Sequence, residues 1–297
     1  MTNFTGAPNG EFIAERIESA NSQRAQPCIY EGPIWADGFL YFSEFTLEPG
    51  FPSRIQRLDS AGRLSTWMDD SGSNGLAFDG QGNIVAATHK YKGLTRYNIA
   101  TGLRTAFIKH YNSNVFNSPN DLVIAEDGTI YFTDPDFQKS AAPGGQEKTG
   151  VYSVSNDGNV QLIDDSIANP NGIALSSDGN KLYVTGGGEL GVLRQYLIAD
   201  GRPKMIKDLV TGLTLPDGIT VDSNGDIYVA EHTAQRVSVF TPFGKHVATI
   251  HTDDNVTNTT FGGELGNILY LTGTGAVWKI RLGINQSHAS KNHMPNP

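Results

Sequence analysis

The chain repeats itself six times, and no other feature constrains its fold as tightly. The copies are EGPIWADGFLYFSE from Glu31, NGLAFDGQGNIVAATH from Asn74, NDLVIAEDGTIYFTD from Asn120, NGIALSSDGNKLYVTG from Asn171, DGITVDSNGDIYVAEH from Asp217 and NTTFGGELGNILYLTG from Asn258. Their first residues lie 43, 46, 51, 46 and 41 positions apart. A period of about 40–50 residues is that of one four-stranded propeller blade. Each copy reads as strand, turn, strand. The turns carry Asp37-Gly38, Asp127-Gly128, Asp178-Gly179 or Asn224-Gly225, residue pairs that tolerate the left-handed conformation a hairpin needs. The second strands, LYF, IYF, LYV and IYV, are β-branched and aromatic, which suits a pleated, half-buried surface. Two weaker strands follow most copies, as in SRIQRL with LSTWM. No long apolar stripe recurs with a period of 3.6, so helices are not expected to contribute.

These signals predict an all-β, six-bladed propeller over residues 12–283, after an N-terminal extension at 1–11 and before a disordered C-terminal tail at 284–297. Six blades must close into a ring or leave two open edges. Pairing FIAERI at 12–17 with VWKIRL at 277–282 in one blade closes it.

In a propeller the first strand of each blade lines the central channel, so the residue opening each copy points toward the axis. The axial set is Glu31, Asn74, Asn120, Asn171, Asp217 and Asn258, two carboxylates and four amides. The plain alternative is turn chemistry, because Asn and Asp before Gly are ordinary turn residues. It competes poorly: most copies have a separate hairpin turn further on, and Glu31 is not a turn residue. Oxygen donors with two negative charges suit one hard divalent cation, calcium first, with magnesium or manganese as further possibilities. Zinc fits less well, since the axial set has neither His nor Cys. Glu31 and Asp217 balance the charge of the ion, while Asn171 and Asn120 add neutral oxygens. The second strands run back to the same face and end in Glu44, His89, Asp134, Thr185, Glu231, His232 and Thr272, which are expected to wall a pocket around the ion.

Composition narrows the partners. The net charge is −9 and Lys and Arg form no cluster, so nucleic acid is not expected. A single cysteine, Cys28, excludes an intramolecular disulfide and a structural cysteine–zinc site. No run of 18 apolar residues is present to span a membrane. The N-terminus, MTNFTGAPNGEF, has neither a basic nor an apolar leader region. A cytoplasmic location is therefore the expectation, or a periplasmic one had a leader been removed. The sequence sets no oligomeric state.

At EGP (31–33), SPND (118–121), YFTDP (131–135), NPNGIA (169–174) and PDG (216–218) the chain resembles the senescence-marker-protein (SMP-30)/gluconolactonase, regucalcin-like family, and its bacterial members in particular. The resemblance implies a propeller with one catalytic divalent ion at its centre. It implies Glu31, Asn171 and Asp217 as metal ligands, with Asn120 as a fourth inner residue touching ion or substrate. Asp217 corresponds to the proton-transfer residue. His89 and Asp134 are expected to join Asn120 in binding substrate. Ser118 stands where animal members carry an Arg that holds the sugar lactone, so the metal carries over more securely than an aldonolactone. The function implied is metal-dependent hydrolysis of a lactone ester, with the ion as Lewis acid and the Asn120 amide stabilising the oxyanion. Two alternatives stand beside it. One is a phosphotriesterase of the diisopropyl fluorophosphatase type, which has the same four inner residue types. The other is a non-catalytic binding platform.

Overall fold

A computed structural model describes residues 8–188, 190–199 and 202–285. Of the expected N-terminal extension and C-terminal tail, residues 1–7 and 286–297 lie outside the described residues. The strands form six four-stranded antiparallel blades around a central axis, in chain order. Blade one is Cys28–Ala36, Phe39–Thr46, Ser53–Asp59 and Leu64–Met68. Blade two is Ser73–Phe78, Asn83–Thr88, Gly93–Asn98 and Arg104–Ile108. Blade three is Leu122–Ile124, Ile130–Asp134, Gly150–Val154 and Val160–Asp164. Blade four is Ile173–Leu175, Lys181–Gly186, Gly191–Ala199 and Arg202–Leu213. Blade five is Pro216–Val221, Ile227–Glu231, Arg236–Phe240 and His246–His251. Blade six takes Val256–Gly262, Ile268–Gly273 and Val277–Arg281 from the C-terminal end, and its outermost strand, Glu15–Arg16, from the N-terminal end.

That last pairing is the ring closure expected from the sequence: Glu15 stands opposite Lys279 and Arg16 opposite Trp278. The Arg16 guanidinium lies 4.9 Å over the Trp278 ring and bonds Asp253 at 3.1 Å. A feature the sequence did not signal precedes it. Gly10–Ile13 adds a fifth strand to blade five, parallel to His246–His251. The N-terminal segment thus clasps two neighbouring blades.

The core is divided into layers between blades. One cluster joins blades one and two through Tyr41, Phe78 and Tyr97. Another joins blades five and six through Tyr228, Phe261 and Trp278. A third joins blades six and one, packing Tyr270 and Val277 against Tyr30 and Phe42, so the apolar seal is continuous across the chain ends. The hairpins follow their sequence. Asp37 and Gly38 both take positive φ, 49° and 77°, in a two-residue loop between Ala36 and Phe39, as a type I′ turn requires. At Gly128, Gly179 and Gly225 only the glycine is left-handed, and its N–H donates three residues back to Ala125, Ser176 and Asp222.

Candidate active site

The six axial residues converge at one end of the channel. Glu31, Asn74, Asn120, Asn171 and Asp217 line one cavity of about 340 Å³. Asn258 lies just beneath, where its Nδ2 donates to Glu31 Oε2 at 3.1 Å and to Asp121 Oδ2 at 3.2 Å.

The glycine that follows four of the six axial residues explains how the strands come so close. Gly75, Gly172 and Gly218 do not take positive φ, so Asn74-Gly75, Asn171-Gly172 and Asp217-Gly218 are not left-handed turns. A Cβ at Gly172 would stand 2.4 Å from the Asp217 carbonyl oxygen, and one at Gly75 would stand 2.5 Å from that of Asn120. Glycine is there so that neighbouring inner strands can touch. Threonine hydroxyls fix the backbone of the axial residues from the preceding blade. Thr133 Oγ1 donates to the Asn171 carbonyl at 2.6 Å, Thr185 Oγ1 to the Asp217 carbonyl at 2.6 Å, and Thr257 Oγ1 to the Tyr30 carbonyl at 2.5 Å. The inner ring is thereby tied blade to blade.

One charged group escaped the sequence reading. In the column where other copies have Gly32, Gly75, Gly172 and Gly218, the third copy has Asp121. Its side chain fills the axis below the cavity, accepting Leu122 N–H at 2.9 Å as well as the Asn258 amide. Three carboxylates therefore sit together out of water. Burial first, and then the charge of Asp121, push Glu31 up to about 8. Burial lifts Asp121 to about 7. Asp217 is held well above the ordinary carboxylate range by burial, then by Glu31 and Asp121. Asn171 and the Gly218 N–H act against that rise.

The donor set fits a hard divalent cation. Asp217 Oδ1 and both polar atoms of Asn74 are buried without a hydrogen-bond partner, an expensive arrangement unless something else meets them. Two carboxylates facing each other in a dry site need a proton or a positive ion between them. Among the described residues no three His, Cys, Asp or Glu side chains form a metal-holding group. Any cation here would take carboxylate and amide oxygens, the ligands of calcium or magnesium more than of zinc.

The residues expected as an outer wall are placed differently. Of that set only His232 lines the cavity. Its Nδ1 lies 3.1 Å from the Val256 carbonyl and 4.0 Å from Asp217 Oδ2, and burial lowers its pKa. His89 stands behind Phe45 and Phe51 and bonds the Phe51 carbonyl through Nε2 at 2.9 Å. Burial pushes its pKa down to about 4, so it is neutral. Asp134 is turned toward the loop preceding Asn120, accepting Asn117 N–H at 2.9 Å and Ser118 N–H at 2.8 Å. Neither His89 nor Asp134 lines the cavity; both hold elements that do. Glu44 pairs with Arg24 and Arg54, and Glu231 with Arg236. Ser118 donates to the Pro135 carbonyl at 2.7 Å and is fully buried.

Residues 29–275 match the family described as SMP-30/Gluconolactonase/LRE-like region. A gluconolactonase of Zymomonas mobilis is 27% identical over 84% of this chain and 78% of its own. A lactonohydrolase of Aspergillus oryzae is 28% identical, but the chain spans only 54% of that relative. Among solved structures, a gluconolactonase from Xanthomonas campestris superposes with a TM-score of 0.77 at 27% identity, covering 93% of this chain and 99% of that one. Regucalcin from Agrobacterium tumefaciens, a calcium-binding protein, superposes with a TM-score of 0.73 at 19% identity, covering 95% and 97%. At that identity the likeness concerns the propeller alone.

Proposed function

Because the chain belongs to the SMP-30/gluconolactonase/LRE-like family, we propose that it is a lactonase, opening the ester of a lactone at the floor of the axial cavity with the help of one divalent cation, calcium foremost. Two of the relatives are named gluconolactonases, which makes an aldono-1,5-lactone the first substrate to try. The observation that carries the reading is the pair of buried, mutually opposed carboxylates Glu31 and Asp217 at the cavity floor, with Asp217 Oδ1 unpartnered. A binding platform has no need of so costly a pair.

Glu31, Asp217, Asn171 and Asn120 would hold the ion. When bound, it supplies Lewis-acid polarisation of the ester carbonyl. The chain's own groups do the rest. The Asn120 amide donates toward the carbonyl oxygen as negative charge develops there. Asp217 accepts a proton from the attacking water as the new C–O bond forms, then returns it to the ring oxygen as the ester C–O bond breaks. The product is a hydroxy acid, which releases its own proton at neutral pH. Gly172 and Thr185 fix Asp217 in place, and His89 and Asp134 support the wall and the Asn120 loop.

The test is acid release from a panel of lactones, glucono-1,5-lactone among them, by chelator-treated protein with calcium, magnesium, manganese or zinc restored. Turnover above the spontaneous rate that vanishes with chelator is expected. Equal turnover with and without chelator refutes the cation's role, and no turnover of any lactone refutes the hydrolase.

A further inference from the structure

The cavity has two chemically different halves. The buried inner end is polar, made by Glu31, Asn74, Asn120, Asn171 and Asp217. The remainder is walled mainly by Ile29, Phe45, Leu47, Phe51, Phe137 and Leu215. Three of these stand open at the mouth: Leu47 is 62% exposed, Phe137 45% and Leu215 43%. No lysine or arginine lines the cavity. Among the polar side chains of the wall, Gln138 has a buried, unpartnered Oε1, which can meet one substrate donor.

This apolar half is built, not incidental. Phe137 lies on a loop tied down on both sides. Ser118 Oγ bonds the Pro135 carbonyl at 2.7 Å and receives Gln138 N–H at 3.2 Å. Lys92 Nζ donates to the carbonyls of Asn117 at 2.7 Å, Lys139 at 2.5 Å and Gly144 at 3.2 Å. Phe45 and Phe51 pack edge-on against His89, with ring centroids 5.9 and 6.1 Å away. An aromatic wall held this way is already organised before a ligand arrives.

From this division we infer that the substrate class is a lactone whose ring carries an apolar substituent, an alkyl chain in the first place, and not a polyhydroxylated aldonolactone. The inference rests on the lactonase reading of the same cavity. With the ester carbonyl at the Glu31–Asp217 end, a ring substituent has to lie along the apolar half. Several hydroxyls there would give up water for few partners. An alkyl chain gains roughly three- to fourfold in binding for each methylene that reaches the wall.

Two measurements with calcium-loaded protein test it. The first compares kcat/KM for 5-pentyl-δ-valerolactone, δ-valerolactone and glucono-1,5-lactone. The expected order puts the pentyl lactone about tenfold or more ahead of each of the others. The double variant Leu47→Ser, Phe137→Ser is expected to lower that preference about tenfold; both positions are solvent-exposed, so folding is not at stake. The second measures calorimetric binding of the non-hydrolysed analogues 6-pentylpiperidin-2-one and gluconolactam. Gluconolactam binding as tightly as the pentyl lactam, or more so, overturns the inference whatever the turnover. Tighter binding of the pentyl lactam with no hydrolysis of any lactone overturns the lactonase reading and leaves the apolar ligand class standing.

Discussion

Gly172→Ala is the sharpest perturbation of the inner ring. The new Cβ would lie 2.4 Å from the Asp217 carbonyl oxygen, 2.7 Å from Gly218 Cα and 2.9 Å from the Gly218 carbonyl carbon. All three are backbone atoms, so no side chain can swing aside. Relief to ordinary contact requires the Asp217–Gly218 peptide to retreat by about 1 Å. Overpacking of this kind costs about 1–3 kcal/mol. At about 2–4 °C per kcal/mol the melting temperature should fall by roughly 2–12 °C. The larger consequence is for the site: Asp217 moves with its backbone out of its place opposite Glu31. A displacement of about 1 Å at a reacting group can cost about a hundredfold in rate, and calcium affinity should fall about tenfold or more. Calorimetric titration with calcium and a thermal melt read the two effects separately. Gly82→Ala is the control: φ there is +82° and nothing lies within 4 Å, so strain of about 1 kcal/mol is expected with unchanged calcium affinity. If Gly172→Ala keeps both its melting temperature and its calcium affinity, the glycines are not there for close approach, and the account of the axial ring fails.

Asp217→Asn should reduce lactone turnover by about a hundredfold or more while the melting temperature of the chelated protein holds or rises, since a repelled buried charge is removed; wild-type turnover would end its proton-transfer role. Chelated protein should lose stability as pH rises from 5 to 8. Glu31 and Asp121, with ordinary values of 4.5 and 3.8, are raised to about 8 and about 7, so the folded state binds more protons than the unfolded one, and each unit costs up to about 1.4 kcal/mol per group as far as pH 7 and for Glu31 alone from 7 to 8. Saturating calcium should remove that slope, and identical pH profiles with and without calcium would contradict it. Lys92→Met leaves three carbonyls without their donor and should cost about 2–4 kcal/mol, read as a lower melting temperature and faster amide exchange at 136–146.

Much of this molecule was legible in the repeat. Aligning the six copies on Glu31, Asn74, Asn120, Asn171, Asp217 and Asn258 located both the blades and the residues gathered at the axis. The same alignment held the clue to Asp121, an acid in a column of glycines, but only a structure shows that the column faces the channel. The second-strand ends were harder. Glu44 stands opposite Arg54 and Glu231 opposite Arg236 in cross-strand register, so each is paired within its own blade and not offered to the pocket. Nothing in a single strand's sequence announces such a pairing. The apolar wall was hidden for another reason: Phe51 and Phe137 come from the loops between the second and third strands of blades one and three, where no copy repeats another. The parallel strand Gly10–Ile13 gave no signal either, because parallel pairing needs no adjoining turn.

The clasp made by the N-terminal segment governs how the protein can be made. Arg16 and Trp278 are separated by nearly the whole chain, yet their blade is incomplete until they meet. Contacts this distant in sequence are paid for in loop-closure entropy and slow the folding search. A nascent chain can assemble blades one to five in turn as they emerge, but the blade that unites the two ends waits for the last strand. Glu31 in blade one and Asp217 in blade five stand on opposite sides of that seam, and Asn258 of blade six bonds Glu31 across it. The site is therefore complete only when the ring is closed.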